Sequence, residues 1–85
     1  MSKSTPPPTA LAGALEGPRE TLARNLSAAR TAMGLSQDQL AEAAGISRAT
    51  VVQLESGEGD PRLSTISALA MALAVSPVLF FFGAA

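Results

Sequence analysis

Hydrophobic positions along this chain recur at helical spacing and are punctuated by small polar residues and glycines, a pattern that predicts a series of short helices. The run from Leu35 to Gly57, LSQDQLAEAAGISRATVVQLESG, contains two of them joined by a tight turn. Ser36 has the side chain of an N-cap, and Gln39, three residues on, can reach back to its backbone N–H. Leu35 and Leu40 flank this box as a hydrophobic staple. The helix that opens here passes through Leu40, Ala41, Ala43 and Ala44 and is expected to close at Gly45, where a left-handed residue lets Ile46 fold back onto it. Ser47 starts the next helix at once, with Ile46 and Val51 as a second staple, and Ser56-Gly57 stops it. Cap, helix, glycine turn, cap and helix is the order of a helix-turn-helix spanning 36–56.

The same rules extend outward from this unit. Pro18, following Gly17, suits the first position of a helix that runs to about Met33 and ends at Gly34, with Leu22, Leu26, Ala29 and Met33 as its apolar stripe. A later helix is expected to start at a Ser64 cap and to bury Ile66, Leu69, Ala70 and Leu73. It meets Ala74-Val75, where a left-handed alanine would cost about 1 kcal/mol relative to glycine. Ser76 and Pro77 then open a fifth helix, Pro77 to Phe82, with Val75 and Phe80 as its staple. This last helix is apolar all round. One face can enter the core; the other, with Val78, Leu79, Phe81 and Phe82, needs a cover and reads as a self-complementary dimer interface. Ahead of the helices, residues 1–17 hold Ser, Thr, the triplet Pro6 to Pro8 and a small-residue stretch weakened by Gly13. They read as a flexible N-terminal arm with Lys3 as its only basic residue, which leaves 18–85 as the domain.

The segment from about Leu22 to Phe82 resembles the Cro/repressor (XRE-like) family of DNA-binding domains. The resemblance rests on Gly34-Leu35-Ser36-Gln37, Leu40-Ala41, Ala44-Gly45-Ile46-Ser47, the ending Leu54-Glu55-Ser56-Gly57, and Ala70 with Leu73-Ala74-Val75-Ser76. It implies an all-α fold, a compact five-helix lambda-repressor-like domain, with double-stranded DNA as partner. Helical spacing puts Val51, Leu54 and Glu55 on one side of the second helix of the motif and Ala49, Val52, Gln53 and Ser56 on the other. The second side, with Ser47, Arg48 and Thr50 at the helix entrance, is free to enter a major groove. Arg48 can pair with guanine O6 and N7 and Gln53 with adenine N6 and N7, while Ala49, the Thr50 methyl group and Val52 suit thymine methyls. The resemblance further implies that Gln37 sits over a phosphate and braces the first recognition residue, and that Ser56 and Arg62 touch the phosphate backbone. It also pairs an arginine near the end of the first helix with a glutamate at the position of Glu55, so Arg30 and Glu55 are expected to form a partly buried ion pair.

Composition narrows the function classes. Eighty-five residues allow one small domain, and with 47% hydrophobic residues but only three Phe and no Trp or Tyr the core is expected to be thin and built from Leu, Ile and Val. Without Cys or His there is no disulfide, no thiolate site and none of the commonest general base, so neither an enzyme nor a metal or other cofactor is expected. The N-terminus lacks a signal-peptide layout and no apolar run is long enough to span a bilayer, which reads as a soluble cytoplasmic protein. The net charge of −1 runs against phosphate binding by charge alone, so the six basic residues need to be concentrated on one face. The function that fits is a homodimeric, sequence-specific transcription regulator, more often a repressor, reading an inverted repeat. Two alternatives are a protein-interaction module that keeps the fold, favoured by low basicity and the apolar last helix, and the DNA-reading half of a longer regulator.

Overall fold

Pro18 at the first position and Glu20 in the first turn open α1, Pro18–Ala32, behind Gly17. The remaining elements are α2 (Gln37–Ala44), α3 (Arg48–Glu55), α4 (Leu63–Ala72) and a C-terminal 3₁₀ helix (Pro77–Phe81). The computed structural model describes residues 17–83, and all regular structure among these is helical. The expected N-terminal arm therefore lies outside the described residues apart from Gly17.

The helices enclose a core of Leu22 and Leu26 from α1, Leu40 and Ala41 from α2, Val51 and Leu54 from α3, Ile66, Leu69 and Ala70 from α4, then Leu73 and Phe80. α1 packs against α3 and the 3₁₀ helix, while α2 packs against α3 and α4. The core is aliphatic around a single buried aromatic ring, that of Phe80.

Three boundaries differ from those the pattern suggests. Met33, placed on the buried stripe of α1, is 53% exposed. It stands at the C-cap, and Gly34 turns the chain with a φ of 72° so that Leu35 packs on the core instead. α4 starts at Leu63 with Arg62 as N-cap, not at a Ser64 cap. The N–H groups of Thr65 and Ile66 both donate to the Arg62 carbonyl at 3.0 Å, which closes the first turn two residues earlier and leaves Ser64 exposed on it. The last helix is 3₁₀ and ends at Phe81, not an α-helix to Phe82. Its bonds span three residues, from Leu79 N–H to the Ser76 carbonyl and from Phe82 N–H to that of Leu79.

A side chain of α1 reaches this last element. The Asn25 side-chain amide donates to the carbonyls of Leu79, Phe80 and Phe82, each at 3.0 Å. These oxygens would point along the axis of a continuing α-helix; here a side chain from another element takes them. At the preceding junction Ala74 adopts φ 56°, the left-handed conformation, and the Val75 N–H reaches back to the Ala70 carbonyl.

Candidate nucleic-acid interface

Local chemistry sets the geometry of the two helices of the motif. Ser36 Oγ accepts from the Gln39 N–H at 3.0 Å, and Gln39 Oε1 accepts from the Ser36 N–H at 2.8 Å, a complete capping box. α2 ends at Gly45 with φ 71° and ψ 31°, and the Ile46 N–H bonds the Ala41 carbonyl at 3.0 Å. Ser47 Oγ then accepts from the Thr50 N–H at 3.1 Å and lies 2.8 Å from the Thr50 hydroxyl. One residue of positive φ and two serine caps thus fix the angle at which α3 leaves α2.

Val51 and Leu54 turn α3 inward, and they are buried. Arg48, Ala49, Gln53 and Ser56 are exposed, with Thr50 and Val52 half-buried beside them. The outward surface of α3 is therefore short, small and polar, with one guanidinium at its N-terminal end. Ser56 Oγ–H donates to the Gln53 carbonyl at 2.8 Å, so this hydroxyl must turn before it can donate to a phosphate. Arg62 stands as the N-cap residue of α4, exposed, across the loop from the end of α3.

Glu55 sits on the inner side of α3 and receives three donors. Arg30 Nε and Nη2 donate to its two oxygens at 2.6 and 3.0 Å, a fork-to-fork pair, and Gln37 Nε2 donates to Oε1 at 3.1 Å. The side chains of Arg30 and Glu55 are 17% and 7% exposed. Arg30 Nη1 also donates to the Leu35 carbonyl at 2.7 Å, so one side chain ties α1 to the α2 entry and to α3. The hydrogen bond to Glu55 raises the Arg30 pKa above the ordinary arginine range, against the opposing effect of burial. A raised pKa means that the stabilisation is complete below the ordinary value and fades only as pH rises beyond it, so Arg30 stays charged throughout the neutral range. Gln37, expected to brace the first recognition residue, gives one of its two amide N–H groups to Glu55.

Arg19, Arg30 and Arg48 form ion pairs that join different parts of the fold. Arg30 is engaged internally, and Arg19 donates to the Gly59 carbonyl and to Asp60 in the loop after α3. Arg48 Nε lies 3.4 Å from Asp38 Oδ1, with side chains 61% and 75% exposed. Arg48 and Arg62 are the guanidinium groups borne by α3 and by the entry to α4. The pairings of Arg19 and Arg48 and the reach of Asn25 carry no signal in local sequence, because each joins residues from different elements. Among the described residues no three His, Cys, Asp or Glu side chains come together as metal ligands, and no helix is long and apolar enough to cross a membrane.

Similarity to known proteins follows the same elements. No curated protein matches the chain in sequence. Among solved structures, the restriction-modification controller protein C.AhdI from Aeromonas hydrophila is 36% identical, with a TM-score of 0.72 over 74% of this chain and 96% of that one. A hypothetical transcription factor from Neisseria, NHTF, is 32% identical, with a TM-score of 0.75 over 78% of this chain and 74% of its own. The clp gene regulator ClgR from Corynebacterium glutamicum is 26% identical, with a TM-score of 0.71 over 75% and 68%. The helix-turn-helix family HTH_3 matches residues 26–80, from the middle of α1 through the buried Phe80, and the chain belongs to that family.

Proposed function

We propose that the chain is a DNA-binding transcription regulator of the cytoplasm, in which 18–85 form the DNA-binding domain and the helix-turn-helix at 36–56 reads an inverted-repeat operator as a homodimer. The observation that carries this reading is α3. Its inner side is locked by Val51, Leu54 and the Arg30–Glu55 pair, while its outer side offers Arg48, Ala49 and Gln53 to solvent. A helix so anchored presents a pre-set row of donors and small groups to a major groove, with Thr50 and Val52 at the edge of the row. Gln37 and Ser47 stand at the positive ends of α2 and α3, where N–H groups favour a phosphate, and Ser56 and Arg62 flank the far end.

The dimer is favoured by the C-terminal surface. Val78, Leu79, Phe81 and Phe82 are 62%, 39%, 45% and 66% exposed, and they are contiguous in sequence around the buried Phe80. Phe81 also lines an open groove of about 490 Å³ with Leu22, Leu63 and Ile66, beside the charged Arg19 and Asp60. A second copy covering this surface through a two-fold axis would carry its own α3, at an equal distance on the opposite side of that axis. Repression by occupancy of a promoter is the mode this arrangement serves most simply.

Selection from a random duplex pool at moderate salt, with Arg48→Ala and Gln53→Ala alongside, tests the reading. A two-fold motif with half-site centres about 10 base pairs apart, or a multiple, is expected and should be lost in both variants. Enrichment that survives both substitutions would keep DNA binding but remove Arg48 and Gln53 as its contact residues. The net charge of −1 and the same apolar surface favour a second reading, a module that binds another protein through the 3₁₀ helix. Absence of any enrichment would favour it, or the DNA-reading half of a longer regulator.

A further inference from the structure

The loop from α3 to α4, residues 57–62, ends on Arg62, and its first half is rich in glycine. Gly57 and Gly59 both stand at φ 82°, a conformation that glycine enters and leaves at little cost. The Glu58 N–H bonds the Gln53 carbonyl at 2.9 Å and keeps the start of the loop on α3. The next hold comes from another element. Arg19, in the first turn of α1, donates through Nε to the Gly59 carbonyl at 2.7 Å and through Nη2 to the Asp60 carboxylate. Both bonds leave one planar group, so they fix the direction of the loop as well as its distance from α1. Pro61 follows with its own φ locked and restricts Asp60 before it, which leaves few rotations between the clasp and Arg62. Arg62 then lines, with Thr50, Gln53 and Thr65, an open niche of about 200 Å³ between the exit of α3 and the entry of α4. Gly59 and Asp60, the two residues that Arg19 grips, form part of the same wall.

We propose that Arg19 is a positioning residue for DNA binding: from α1 it holds the 57–62 loop so that Arg62 stands at a phosphate beside the base that Gln53 reads. The inference rests on the DNA-reading function proposed above. The clasp is kept when the duplex binds, so its effect is to spare the ordering of the loop at that moment. Without it the glycines let Arg62 sample positions that miss the phosphate, and binding must select against them. The saving is the same for every sequence. Arg19 therefore acts on affinity and leaves base preference to α3.

The test compares the unmodified protein, Arg19→Ala, Arg62→Ala, the two combined, and Asp60→Ala. Each is melted, and each is titrated over a range of salt with the best duplex recovered by selection. Arg19→Ala is expected to bind roughly two- to five-fold more weakly, the range set by an exposed ion pair. Arg62→Ala should flatten the slope of log affinity against log salt by about 0.9, one phosphate contact. With Arg62→Ala in place, the loss from Arg19→Ala should vanish, because no group remains to be positioned. Asp60→Ala separates position from charge. It makes the protein less negative, which by charge alone tightens binding, whereas release of half the clasp should weaken it. The paired side chains are 52% and 84% exposed, so the melting midpoints are expected to stay close to that of the unmodified protein. Additive losses in the combined variant, tighter binding by Asp60→Ala, or unchanged affinity in Arg19→Ala would each overturn the proposal. So would an Arg19→Ala midpoint that falls as far as that of Glu55→Ala, which would assign Arg19 to the stability of the fold. A duplex pool from which the unmodified protein binds nothing would instead overturn the DNA-reading function itself.

Discussion

At the scale of single residues, the side chain with most riding on it is Glu55. It is nearly buried, and it is bonded by Arg30 and Gln37 together. Removing either charge of a buried pair leaves the other without its counter-ion, at about 3–5 kcal/mol. Glu55→Ala and Arg30→Ala are therefore expected to lower the thermal midpoint sharply and by comparable amounts; an unchanged midpoint in both would remove the pair from the account of stability. Loss of DNA binding in either variant consequently says nothing about contact with DNA until the melt is known. Ala74 is the opposite case. Its φ of 56° suits glycine, so Ala74→Gly should raise stability by roughly 0.5–1 kcal/mol, read as a midpoint a few degrees higher in a domain of this size.

At the scale of elements, the 3₁₀ helix hangs on Asn25. An amide has two N–H groups, and three carbonyls share them, so one hydrogen at least is bifurcated. Asn25→Ala leaves those oxygens to water where it can reach them, and the Phe80 carbonyl is part-buried. A loss of roughly 1–3 kcal/mol is expected, with hydrogen exchange accelerating first at Leu79 to Phe82 while α2 and α3 keep their protection. Uniform acceleration across all helices would show that the last element is not a separate unit. The contrast between α2 and this element also explains what was legible in the sequence. Ser36, Gln39, Gly45 and Ser47 act over at most four residues, and residue type alone declares such caps. Asn25 acts over more than fifty residues of separation, and nothing near either end announces it. Ser64 misleads for a related reason. It is a better cap by type than Arg62, but the carbonyl of Arg62 is the one that two N–H groups can reach after Pro61. Periodicity likewise carried Met33 onto the apolar stripe one residue past the point where α1 gives way to the turn. The outward side of α3 followed from the spacing of Val51 and Leu54; the partners of Gln37 and Arg48 did not, since both are side chains chosen by three-dimensional proximity.

At the scale of the whole molecule, α1 is the common support. Arg30 ties it to α3, and Asn25, five residues earlier, ties it to the apolar C-terminal surface. Five residues of helix span about 7.5 Å of unstretchable rod. If two copies meet through that surface, the gap between their reading heads is set by a calliper with no loop in either arm. Such an instrument measures but does not adjust. One base pair inserted between the half-sites of the selected operator displaces them by about 3.4 Å and rotates them by about 35°, and binding is expected to collapse to that of a single half-site. Mobility-shift titration against operators lengthened by one, five and ten base pairs would read this directly. Retention of full affinity at one added base pair would mean that the jaws are hinged after all.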